Sequence, residues 1–118
     1  MLRFWPRKPR FPVIIDTGIK LIGATSGAEC SKRLARAKIV NGEKSTAVID
    51  ATAEGFGFYP EMMLITPMTT KKKWKKSEIV ALYNSRRGPE ATEYPLTSLG
   101  NKSTERVVSE IVHLLNQP

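Results

Sequence analysis

Apolar residues along this chain follow two rhythms, and the change from one to the other sets out most of its elements. The first half carries short β-prone runs bounded by Gly, Pro and small polar residues. Val13, Ile14 and Ile15 precede Ile19, Leu21 and Ile22 across the break Thr17-Gly18, which predicts two strands and a hairpin within residues 12–22. Ser26 and Glu29 stand at capping-box spacing, so a short helix is expected from Gly27 to about Ala35. Its apolar face holds little beyond Cys30 and Leu34, which leaves residues 31–40 open to a strand reading instead. Residues 36–50 look like the organising hairpin, because two β-prone runs flank Asn41-Gly42, a pair that tolerates positive φ in a tight turn. A three-residue bulged loop there places Ala37, Ile39, Ala47 and Ile49 on one face and leaves Val48 partly exposed, whereas a two-residue loop brings Val40 to Ala47 and Ile49. The preferred reading buries Ile39 and Ile49.

Residues 53–59 place Phe56 and Phe58 on one side of a further strand or bulged edge, and residues 61–66 return apolar side chains to the core between Pro60 and Pro67. Beyond that point the period becomes helical. Ile79, Val80, Leu82 and Tyr83 predict a helix near residues 77–86, closed by Arg86-Arg87-Gly88-Pro89. Residues 90–100 read as a loop tacked down by Tyr94, Leu96 and Leu99. Asn101 or Ser103 then caps a C-terminal helix near residues 103–116, whose stripe of Val107, Val108, Ile111, Val112 and Leu115 serves as core or as a dimer seam. The fold class expected is α+β, a small antiparallel sheet built on hairpins with these helices.

Length and composition narrow the class without changing the elements. A chain of 118 residues that is 41% hydrophobic and 25% charged suits one folded domain. The expected organisation is a basic, aromatic, Pro-containing arm over residues 1–10 and a single α+β domain over residues 11–118. The arm's prolines disfavour an amphipathic presequence helix, and its apolar sequel is too short and too acidic for a signal peptide. Residues 11–24, the longest apolar stretch, are interrupted by Asp16 and Lys20, so no transmembrane segment is expected. The single cysteine, Cys30, permits no internal disulfide and fits a reducing, cytoplasmic setting.

Catalytic chemistry finds no motif. Cys30 has only His113 as a partner imidazole in the sequence, Asp16, Asp50, Glu54 and Glu61 are scattered, and neither a metal site nor a cofactor is expected. Gly55-Phe56-Gly57 resembles half of a phosphate-cradling loop but lacks the third glycine and a following helix.

Charge is the stronger signal: 19 Lys and Arg against 11 Asp and Glu give +8, and the excess is gathered into two clusters. One holds Arg3, Arg7, Lys8 and Arg10 with Trp5; the other holds Lys71, Lys72, Lys73, Lys75 and Lys76 around Trp74, followed by Arg86 and Arg87. Cations neutralise phosphates and aromatic rings stack on unpaired bases, so these residues are the candidate nucleic-acid contacts, with DNA or RNA as partner. The competing readings are a solvated lysine loop anchored by Trp74, a module that binds a protein partner or a second copy of itself, and attraction to an anionic membrane surface. A shared positive face would favour nucleic acid.

Overall fold

The structure, a computed structural model, describes residues 2–39, 46–97 and 99–117. Among these residues six strands, β1 (Arg3–Phe4), β2 (Val13–Asp16), β3 (Leu21–Ala24), β4 (Thr46–Ile49), β5 (Gly55–Tyr59) and β6 (Leu64–Pro67), form one sheet in the order β1-β6-β5-β4-β2-β3. Among the described residues three helices, α1 (Gly27–Arg36), α2 (Lys76–Arg86) and α3 (Thr104–Leu115), complete an α+β fold, with a 3-10 turn at Leu99–Asn101. No helix among the described residues is long and apolar enough to cross a membrane.

The hairpin across Thr17-Gly18 is present, with Val13 opposite Ala24 and Asp16 opposite Leu21. Its turn is tied by the Thr17 N–H, which donates to the Lys20 carbonyl, and Gly18 supplies the positive φ, 92°, that the turn requires. Ser26 caps α1 by accepting from the Glu29 N–H at 3.1 Å, while the Glu29 carboxylate accepts from Thr25 one residue before the cap. Ser103, not Asn101, caps α3 by accepting from the Arg106 N–H.

The sheet departs from the expected antiparallel form at one edge, where β1 runs parallel to β6. The chain enters at that edge and reaches β2, four strands away, through a connection across the end of the sheet. The larger correction concerns residues 36–50. The Asn41-Gly42 turn lies outside the described residues, but β4 pairs with β2 on one side and β5 on the other, so both its edges are taken by strands other than the segment before it. That segment is helical to Arg36. Ile39 and Ile49 do not share a face either: Ile39 packs against the layer of Val13, Ile15 and Val48, and Ile49 against the opposite one.

Both faces are covered, and this explains why Val48, expected to be half exposed, is buried. On one face α2 and α3 press Ile79, Tyr83, Val107 and Ile111 onto Ile14, Leu21 and Ile49. On the other, Cys30 and Leu34 of α1, together with Leu2, cover Val13, Ile15, Phe56, Phe58 and Ile65. The stripe on α3 is thereby core: Val107, Val108, Ile111 and Val112 are all buried within the chain itself, and Leu115 packs against them half-buried.

Strand register fixes which connections meet. The pairs Phe4–Ile65, Phe56–Pro67, Ile49–Gly55, Ile14–Ile49 and Val13–Ala24 bring the end of β1, the end of β6, the start of β5, the end of β4, the start of β2 and the end of β3 to the same end of the sheet.

Candidate nucleic-acid interface

That end is where residues 7–10 of the first basic cluster and residues 71–76 of the second converge. The turn between β4 and β5 is its centrepiece, built on Asp50. The Asp50 carboxylate, 1% exposed, accepts from the backbone N–H groups of Thr52 (2.8 Å), Glu54 (2.9 Å) and Arg10 (3.1 Å) and from the Thr52 hydroxyl (2.7 Å). A carboxylate satisfied by that many donors is a stable buried group, and it holds the turn with Ala53 at φ 66°, a conformation a non-glycine residue adopts only when its surroundings enforce it.

The N-terminal segment lies against one side of this turn. Ala51 donates its N–H to the Arg10 carbonyl at 2.8 Å, and Arg7 makes a two-pronged ion pair with Glu54 while its guanidinium sits 5.2 Å from the Phe56 ring centroid. The Lys8 ammonium stands over Phe4 at 5.9 Å. The lysine segment lies against the other side. Gly55 donates to the Lys72 carbonyl, Trp74 donates to the Ala53 carbonyl, and Glu54 and Lys73 form a β-bridge. Gly55 is explained by this crossing, since a Cβ there would overlap the Lys71 carbonyl, whereas a Cβ on Gly57 would stand 2.7 Å from the Met68 sulfur. Gly55 thus permits close passage of the chain's own backbone rather than of a phosphate, and Gly57 makes room for the Met68 side chain.

The lysines divide into two groups. Lys71 is paired with Glu78 at 2.7 Å and lies 5.0 Å from the Trp74 ring; Lys73 donates to the Thr52 carbonyl; Lys76 donates to the carbonyls of Leu99 and Lys102. Those three fasten the loop. Lys72 and Lys75, like the Arg10 side chain, are exposed and have no hydrogen-bond or ion-pair partner among the described residues. Lys75 and Lys76 also stand at the positive end of α2, where a cation is disfavoured. The Glu78 carboxylate offsets this in part: the Lys71 ammonium and the Lys75 N–H hold it below the usual carboxylate range.

The remaining site residues divide by position. Trp74 is half-buried against the α2–α3 core, whereas Trp5 is 69% exposed. Arg3 reaches the Met62 carbonyl at the other end of the sheet. Arg86 and Arg87 are at that far end as well, where Arg86 pairs with Asp16 at 3.0 Å and Arg87 with Glu93 at 3.2 Å. They are not brought together with the lysines. Cys30 is fully buried, and burial, with the charge of Glu29 beside it, pushes its thiol up to about 12. Sequence reasoning missed Asp50, Glu54 and Gly55 as the residues that position the site. The Asp50-x-Thr52 turn signal was present in the sequence, but the partners of Glu54 and Gly55 lie in distant segments. Compared with protein families, curated proteins and solved structures, the chain gives no match to any of them.

Proposed function

We propose that this protein binds nucleic acid through the basic end of its sheet. The observation that carries the reading is convergence: residues 7–10 and residues 71–76, far apart in sequence, flank one turn at one end of the fold. Within segments 7–10, 50–55 and 71–78, the carboxylates Asp50, Glu54 and Glu78 are each already engaged, by backbone donors, Arg7 and Lys71 respectively. The side chains of Arg10, Lys72 and Lys75 are left without a hydrogen-bond or ion-pair partner among the described residues, which leaves them available to phosphate oxygens.

Salt-titrated binding to single- and double-stranded DNA and RNA tests this, because phosphate contacts release counterions and affinity must fall steeply as salt rises. Binding that is absent at low salt, or indifferent to salt, overturns it. The alternative, a protein-interaction module, draws on the apolar groove between residues 92–95 and α3, where Pro95 and Leu114 line a cavity of about 500 Å³. Salt-insensitive self-association in solution would favour that alternative.

A further inference from the structure

Resting on the nucleic-acid reading above, we propose that the ligand is a single strand and that Trp5 is the platform on which one of its unpaired bases stacks. Trp5 has the greatest exposure of the large apolar side chains among the described residues. A frayed terminus would account for that, but Trp5 is not on one. Its N–H donates to the Ile65 carbonyl at 3.2 Å, extending the β1–β6 ladder, and two residues later Arg7 is held by both oxygens of Glu54.

Alternation along the strand decides which way the indole stands. Leu2 and Phe4 turn into the core with Ile65 and Phe58, while Arg3 and Trp5 remain outside. Trp5 is therefore on the opposite side of the sheet from Phe4, the side of Gly55 and Gly57, where the lysine segment crosses over Gly55. β1 is two strands from β5, a separation on the order of 10 Å at normal strand spacing. A few nucleotides of one strand span a distance of that order.

Polymer class follows from what an indole adds to a cationic surface. Lysine and arginine suffice for the phosphates of a duplex, whose base faces are covered by neighbouring pairs. An unpaired base offers a free π-face, and stacking on it offsets the solvent exposure of a large apolar ring.

The test uses the full chain with fluorescein-labelled oligothymidylate and a duplex of equal length, compared at matched salt. We expect tighter binding of the single strand. Trp5→Ala lowers that affinity by roughly five- to a hundredfold, leaves duplex affinity and the salt slope at parental values, and keeps the parental melting temperature; Trp5→Phe retains most of the single-strand affinity. If Trp5→Ala binds the single strand as the parent does, or the parent prefers duplex at every salt, the single-strand inference is wrong while salt-dependent binding still supports nucleic acid. A parent that binds neither polymer at low salt sinks both.

Discussion

Asp50 shows how much one side chain does at this site. Its carboxylate serves the Arg10 N–H on one segment and three donors of its own turn, so replacing it with Ala leaves several donors buried and unpaired. Asp50→Ala is expected to cost roughly 2 to 4 kcal/mol in urea unfolding and to weaken binding by loosening both basic segments; a variant as stable as the parent would show that water replaces the carboxylate. Glu110 offers a pH test. The Tyr94 hydroxyl at 2.5 Å, then Lys102 and Arg106, hold its carboxyl down to about 2. Because the folded value lies below the ordinary carboxylate value of about 4.3, its contribution is present above that pH and lost as pH falls toward about 2. Acid unfolding of Glu110→Gln should therefore show a shallower loss of stability over that window than the parent shows. Equal slopes would mean that solvent screens the cluster.

At the scale of elements, the crossing of the lysine segment over β5 depends on the absent side chain of Gly55. Gly55→Ala places a methyl group against backbone, with no flexible side chain to give way, and is expected to cost about 3 kcal/mol or more and to displace residues 71–73. A lowered denaturant midpoint together with faster tryptic cleavage at those lysines would report it; an unchanged midpoint would place the crossing elsewhere. Residues 1–10, read from sequence as a separable arm, contribute a strand paired to β6, a buried Leu2 and a backbone link from Arg10 to Asp50. Their deletion should lower stability by at least about 2 kcal/mol from Leu2 burial alone. A truncated chain that melts with the parent would show the arm to be dispensable for folding.

Across the whole molecule, the cations of the basic end fall into two kinds, free and fastening, and the two should respond differently to neutralisation. Replacing Arg10, Lys72 and Lys75 with Gln should leave the melting temperature nearly unchanged, since exposed cations without partners contribute little to folding. Under the proposed nucleic-acid function, the same variant should weaken binding to every sequence and reduce the salt slope by about one for each phosphate no longer neutralised. Replacing Lys71, Lys73 and Lys76 should do the reverse, costing stability first, because their ammonium groups hold Glu78 and three carbonyls. If the two triple variants behave alike, the division between fastening and free lysines is wrong.

What the sequence determined by itself is what neighbours in the chain decide. The Thr17-Gly18 hairpin, the caps at Ser26 and Ser103 and the apolar stripe of α3 each rest on residues within a few positions of one another, where turn chemistry and periodicity operate. The two basic clusters with their aromatic residues were legible for the same reason. Tertiary structure decided the pairings. Asn41-Gly42 is a strong local turn signal, yet β4 takes its partners from β2 and β5, because pairing on both edges and burial on both faces outweigh one short loop. Which lysines are free, which tryptophan is exposed and whether the clusters meet were likewise invisible in the sequence. Each depends on the register of strands far apart in the chain, and register is set by the packing of whole faces rather than by any local pattern.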